Sequence, residues 1–231
     1  MAKKEVSAMI GIIAAMEEEM SLLREALNLD SSETICGVEF YESNDIILCK
    51  CGIGKVNSAM ATTILIDHFE CDLIINTGIA GGICGVNTKD VVIGNKFMYY
   101  DVDVCAFGYA FGQVPGMPKF YLADSEMVLK TKTILKQLGI AYKEAMVYSG
   151  DSFVNRLDLL KNVETNVVSI CEMEGTSIAQ VCVKSGVEFV SIRYVSDIVG
   201  HENQINDYLS FESEMAKRSS KICLEILKEL V

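Results

Sequence analysis

Val6-Ser-Ala-Met-Ile-Gly-Ile-Ile-Ala-Ala15 runs without a break into Met16-Glu-Glu-Glu-Met-Ser-Leu-Leu-Arg24. The first part is apolar with no polar alternation, the pattern of a central strand covered on both faces. From Met16 to Leu29 the spacing turns helical, with Met20, Leu23 and Leu27 on one side. A buried strand feeding directly into an amphipathic helix is the building unit of an α/β fold. The basic start Met-Ala-Lys-Lys ahead of an apolar run imitates a secretory signal. Glu17, Glu18 and Glu19 follow at once and no small-residue cleavage site appears, so the run is read as a strand.

The same alternation extends along the chain. Val38–Tyr41 and Ile46–Cys51 predict a strand pair around the turn-rich Ser43-Asn44-Asp45. Gly52-Ile-Gly-Lys55 opens a helix to about Phe69, and Leu73–Asn76 is a buried strand ending in Thr77-Gly-Ile-Ala-Gly-Gly82. Val91–Tyr100 is strand-like. Val102–Phe120 reads as a long loop holding both prolines, Pro115 and Pro118. Asp124–Leu138 is a helix capped by Asp124 or Ser125. Ala145–Ser149, Val167–Ile170 and Val187–Val195 are further strands, with a helix over Met173–Ser185. A terminal helix spans Phe211–Leu230, where Phe211, Met215, Ile222, Ile226 and Leu230 form the apolar face. No repeat or linker interrupts the pattern. It predicts one domain over residues 1–231, a three-layer α/β/α fold around a central mixed, mostly parallel twisted sheet.

Composition narrows the functional classes. Half of the residues are hydrophobic, enough for a sizeable core and too many for a disordered chain. No apolar run reaches the length of a membrane span. The formal charge of −12 repels phosphate backbones, which argues against nucleic acid as a partner. The nine cysteines form no C-x-x-C pair and only His68 and His201 could assist them, so no metal is expected. Their reading is small buried hydrophobes in a reducing, cytoplasmic setting. No cofactor follows from the sequence.

In open α/β sheets ligands sit beyond the carboxyl ends of the strands. That rule selects Met16–Glu19, Cys51–Lys55, Thr77–Gly82, Ser149–Asn155, Cys171–Gly175 and Arg193–Asp197. The glycines in Gly52-x-Gly54 and Gly78-x-x-Gly81-Gly82 either close tight turns or let a ligand approach the backbone. Glu17–Glu19, Glu172 and Glu174 stand at helix starts, where capping alone would account for them. Asp197 follows Arg193, and an ion pair between the two is the plainer reading. Convergence favours chemistry: three strand ends bring carboxylates to one cleft, and cutting a glycosidic bond needs an acid for the leaving group and a base for water. Phe153, Phe107, Tyr109 and Phe211 are either core or the flat walls of a nucleoside site.

Gly11-Ile-Ile-Ala-Ala-Met-Glu-Glu-Glu19, Gly52-Ile-Gly-Lys-Val-Asn57, Ile75-Asn-Thr-Gly-Ile-Ala-Gly-Gly82, Ala106-Phe-Gly-Tyr109, Ser149-Gly-Asp-Ser-Phe-Val154, Glu172-Met-Glu-Gly175 and Arg193-Tyr-Val-Ser-Asp197 occur in this order. Together they resemble the 5′-methylthioadenosine/S-adenosylhomocysteine nucleosidases of the purine nucleoside phosphorylase superfamily, over nearly the whole chain. The resemblance implies that a nucleoside is hydrolysed to adenine and a 5-thioribose product. It implies Asp197 as the acid that protonates N7 of adenine, beside Ser196. Glu19 deprotonates water with help from Arg193, and Glu174 holds the ribose hydroxyls with Met173 against the sugar face. Glu172 joins the binding set, as do Ile79, Ala80 and Gly81 of the glycine-rich segment. Phe153 stacks on adenine and Val154 offers it backbone hydrogen bonds. Met16, Ile53, Tyr109 and Phe211 line the 5′ pocket. Phe107 reaches into the partner's site of a homodimer.

The sequence departs from the family at Ile79, where many relatives have a serine that bonds the acid, and at Tyr194, which replaces a small residue. Ile198–Ser210 looks longer than usual and is expected to shape the 5′ pocket or its lid. Burial is expected to raise the pKa of Asp197. Three rivals use the same residues differently. A phosphorylase needs a dianion site built with several arginines, and the chain has only Arg24, Arg156, Arg193 and Arg218. A binding protein on the same fold would not need all three carboxylates. A hydrolase of 6-amino-6-deoxyfutalosine or 5′-deoxyadenosine would need them all, because an apolar pocket discriminates weakly.

Overall fold

A computed structural model describes residues 8–29, 32–160, 163–164 and 166–230. Ten strands and five α-helices follow in the order β1 (Ile10–Ala14), α1 (Glu17–Ala26), β2 (Ser32–Ile35), β3 (Val38–Ser43), β4 (Ile46–Lys50), α2 (Lys55–Asp67), β5 (Leu73–Cys84), β6 (Val91–Tyr99), β7 (Tyr121–Leu122), α3 (Ser125–Gln137), β8 (Tyr142–Ser149), β9 (Ser169–Glu172), α4 (Gly175–Ser185), β10 (Glu188–Ile198) and α5 (Gln204–Leu230). Val6 and Ser7 of the expected first strand lie outside the described residues.

The unbroken apolar runs have the reason expected of them. Ile12, Leu48 and Ile75 face one layer, with Met20 and Leu23 of α1, Ile134 of α3 and Ile222 of α5. Their neighbours Ile13, Ile47 and Ile74 face the other, with Leu65 of α2 and Ile178 of α4. Period-two alternation therefore buries both faces of the same strand. The result is the three-layer α/β/α arrangement around a mixed sheet.

The path of the sheet positions the site. Its order is β10-β6-β8-β9-β5-β1-β4-β3-β2, and β10 also pairs with β5. Five strands thus close into a ring, and β1, β4, β3 and β2 extend from it as an arm. The switch happens along β5. Leu73–Asn76 pair with β1, Gly81–Cys84 pair with β9, and β10 follows the other edge from Leu73 to Gly82. Thr77–Gly82, expected as a loop, is strand for this reason. A Cβ on Gly82 would lie 2.7 Å from Ile198 Cδ1 and from Val86 Cγ2, so the curl requires glycine there. Parallel pairings (β1–β4, β1–β5, β5–β10, β6–β8, β8–β9) are matched by antiparallel ones at β2–β3, β3–β4, β5–β9, β6–β7 and β6–β10.

Two local differences from the sequence reading have consequences. β2 adds an exposed outer strand to the expected hairpin, and its Ser-Glu-Thr-Ile carries too little apolar signal to be seen. The terminal helix starts at Gln204, seven residues before Phe211. Ile198–Ser210 is therefore a tight turn followed by the first turns of α5. Among the described residues no helix is long and apolar enough to cross a membrane.

Candidate active site

A cleft partly open to solvent lies where β1, β8, β9 and β10 end, against the middle of β5. Met16, Glu19, Ile53, Ile79, Ala80, Gly81, Phe153, Val154, Glu172, Met173, Glu174, Arg193, Ser196 and Asp197 all line it, together with Tyr208. Phe107, Tyr109 and Phe211, assigned to a site from the sequence, do not. Phe107 is 81% exposed on its loop, outside the cleft of its own chain. Phe211 lies against the core, with Lys89 Nζ 4.4 Å from its ring centroid. The early start of α5 explains this: Tyr208 takes the cleft side of the helix. Its ring meets Phe153 edge-on at 5.3 Å, and its hydroxyl donates to Glu212 Oε1 at 2.8 Å.

Glu19 stands at the end of β1 in the first turn of α1. Its Oε2 accepts the Ala15 and Met16 N–H groups at 2.8 and 3.1 Å, and its Oε1 accepts Ile79 N–H at 3.1 Å. Ser220 of α5 donates to the Glu19 carbonyl at 2.6 Å, tying the helix start to the C-terminal helix. Burial raises the Glu19 pKa, while the Arg193 charge and the three N–H donors oppose the rise. A Cβ on Gly78 would sit 2.5 Å from both Glu19 Oε1 and Arg193 Nη1. This glycine makes room for two of the protein's own side chains, the Glu19 carboxylate and the Arg193 guanidinium, rather than for a ligand.

Arg193 is buried on β10. Its Nη2 donates to Asn76 Oδ1 at 2.6 Å and to Glu172 Oε2 at 2.7 Å, and its Nη1 donates to the Ile79 carbonyl at 3.3 Å. Glu174 Oε2 lies 3.8 Å from Nη2. The ion pair with Arg193 that was the alternative reading of Asp197 is absent among the described residues, and Glu172 is the partner of Arg193 instead. Glu172 also accepts the Glu174 and Gly175 N–H groups at 2.9 and 2.7 Å, and Ser149 Oγ–H. Helix capping and charge neutralisation thus occupy Glu172, although it borders the cleft.

Glu174 begins α4. Its Oε1 accepts Gly54 N–H at 2.9 Å, and Gly54 adopts φ +99°, a conformation that favours glycine. Burial and the Glu172 charge push the Glu174 carboxyl up to about 8, against the pull of Arg193. Glu19, Glu172 and Glu174 together face one guanidinium.

Asp197 faces a different environment. The β5–β10 register slips between Val195 and Asp197, leaving Ser196 as the extra residue of a bulge. Such a bulge re-aims the next side chain, and Asp197 lines the cleft only 2% exposed. Ser196 Oγ lies 2.6 Å from Oδ1, and Gln204 Nε2 donates to Oδ2 at 2.7 Å. Burial raises its pKa, opposed only by these two neutral donors. Gln204 and Tyr208 escaped the sequence reading. The spacing Gln204, Tyr208, Phe211, Met215 is the continuation of a helical stripe and was the available signal.

The nine cysteines are all free; Cys49, Cys51, Cys71, Cys171, Cys182 and Cys223 are buried, while Cys36 and Cys105 are exposed.

The sequence profile of the phosphorylase superfamily matches residues 9–228. A 5′-methylthioadenosine/S-adenosylhomocysteine nucleosidase of Geobacillus sp. (strain WCH70) is 42% identical over 229 residues, 96% of this chain and 98% of the relative. The crystal structure of an S-adenosylhomocysteine nucleosidase of Streptococcus pyogenes with 5-methylthiotubericidin superposes with TM-score 0.91 at 37% identity, covering 99% of both chains. A futalosine hydrolase of Helicobacter pylori shares the fold, with TM-score 0.89 at 28% identity over 95% of this chain and 97% of its own. The chain belongs to the phosphorylase superfamily and, within it, to the 5′-methylthioadenosine/S-adenosylhomocysteine nucleosidases.

Proposed function

We propose that this chain hydrolyses the N-glycosidic bond of 5′-methylthioadenosine and S-adenosylhomocysteine, releasing adenine and the 5-thioribose product. The observation that carries this reading is the split between the cleft's carboxylates. Asp197 is buried with neutral donors only, a setting that keeps a proton for delivery. Glu19 is buried too, but it stands beside Arg193 with three backbone N–H donors, and all of these pull its raised pKa back toward the anion. An acid and a base prepared by their surroundings are what water-driven bond cleavage requires.

In this mechanism Asp197 protonates N7 as the bond from C1′ to N9 stretches. Electrons flow into adenine, which leaves neutral. Glu19 removes a proton from the attacking water, whose oxygen bonds C1′. Exchange with solvent then takes the proton off Glu19 and returns one to Asp197. Glu174 accepts hydrogen bonds from the ribose hydroxyls through a carboxyl oxygen. Phe153 offers a face for adenine, and Met16, Ile53 and Tyr208 form an apolar end for the thioether.

Hydrolysis is favoured over phosphorolysis by the surroundings of Arg193. Its Nη2 serves Asn76 and Glu172 and its Nη1 the Ile79 carbonyl, with Glu174 close by, so a phosphate dianion would meet carboxylates crowded around one guanidinium. The same carboxylates suit the related futalosine-type hydrolysis. The reading includes a cytoplasmic homodimer, supported by nine free cysteines and by the exposed Ile53, Val56 and Phe107. Adenine release from 5′-methylthioadenosine in phosphate-free buffer tests the activity. Turnover without phosphate is expected; dependence on phosphate would replace the reading with a phosphorylase, and light scattering checks the dimer.

A further inference from the structure

Gln204 has every polar atom of its amide engaged, although it is 3% exposed. Its Oε1 accepts Gly200 N–H at 2.8 Å, which fixes the sense of the amide. Both Nε2 protons then point inward, one to the Val154 carbonyl at 2.8 Å and one to Asp197 Oδ2 at 2.7 Å. The strand opposite provides no side-chain donor, because Ile79 and Ala80 are apolar and Gly81 only backs the carboxyl.

We infer that Gln204 is a positioning residue for the acid: its amide holds Asp197 Oδ2 as an acceptor and joins that oxygen to the cleft backbone at Val154. Two consequences follow. With Oδ2 receiving the amide proton, Oδ1 is the oxygen that bears the acidic proton, beside Ser196 Oγ. Ser196 can direct its own proton to the Ala80 carbonyl, 3.3 Å away, and so leave a lone pair for Asp197. The acid is also linked to the wall that carries Phe153, because Val154 follows Phe153 in the cleft lining.

This assignment rests on the proposed role of Asp197, and its test separates the two. The other groups facing Asp197 are Cys171 on β9, and Asp207 and Tyr208 on α5. Gln204→Met keeps the side chain's size and removes both donors; Gln204→Leu removes them with a shorter side chain that also carries no charge and serves if the first variant does not fold. Losing a hydrogen bond to a carboxyl in this setting is expected to lower kcat about ten- to a hundred-fold, with KM changed far less. The alkaline limb of the pH–rate profile moves upward, because the lost N–H favoured the ionised form. Isotope-edited NMR of carboxyl-labelled aspartate, assigned with Asp197→Asn, reads the same upward move without any turnover. A titration of Asp197 unchanged in both variants overturns the inference, as does a loss of activity that follows thermal stability alone with the pH limb unmoved. If the wild-type protein releases no adenine, the functional reading fails and the NMR titration still decides the role of Gln204.

Discussion

The two walls of the cleft solve the burial of a carboxyl group in opposite ways. On one wall Glu19, Glu172 and Glu174 gather around a single guanidinium. On the other, Asp197 has no cation partner among the described residues and is held by a hydroxyl and an amide. Burial raises the pKa on both walls. Only the first wall offers a counter-charge that pulls it back. The difference teaches that residue type alone does not set how readily a buried carboxyl holds its proton; the nearest partner does.

The comparison breaks most sharply at its two ends. Asp197→Asn keeps the shape and removes the proton donor, and is expected to slow adenine release by about 10²–10⁴-fold. Glu19→Gln is expected to do the same from the other wall. Chromatographic release assays check both, and a variant within a few-fold of wild type removes that residue from the chemistry. The walls should differ in stability: Asp197→Asn preserves or raises Tm at neutral pH, since the native fold no longer has to bury an ionising group.

Arg193→Met attacks the charged wall alone. It leaves buried carboxylates without their cation, and a loss of about 3–5 kcal/mol is expected from denaturant unfolding. A loss near zero would mean that the carboxyls simply take up protons. The pH dependence of stability asks the same question gently. Glu174 has a folded-state pKa near 8, above its ordinary value of 4.5. The native state therefore binds the proton more tightly, its stabilisation is complete below the ordinary value, and it is lost as pH rises through about 8. Tm is expected to fall over that window, and to fall less in Glu174→Gln. The smallest effect concerns the 5′ end. Tyr208→Ala is expected to raise KM for 5′-methylthioadenosine by roughly tenfold, about the worth of one apolar contact, and Phe211→Ala to leave it nearly unchanged. The reverse ranking in steady-state kinetics would return Phe211 to the cleft.

Much of the site was legible because strand-end carboxylates and glycines stand at recognisable junctions. Met16, Glu19, Glu174, Arg193 and Asp197 meet in one cleft, as their positions implied. The misses share a cause. Apolar spacing marks the last helix from its first strongly apolar residue, Phe211, but α5 begins with polar residues from Gln204. Those two turns bring Gln204 and Tyr208 to the cleft and carry Phe211 to the core.

By itself the sequence determined the layers, the burial of each strand on both faces, and the set of carboxylates available for chemistry. Hydrophobic period and residue type are properties of single positions, and a chain displays them directly. Tertiary structure alone decided the partners: Arg193 with Glu172 and not with Asp197, Asp197 with Gln204, Gly78 with the Glu19 carboxylate. Those pairings depend on the curl of β5 and the bulge at Ser196, which bring together residues distant along the chain. Partnership is a property of two positions at once, and only the closed ring of strands brings them within hydrogen-bonding distance.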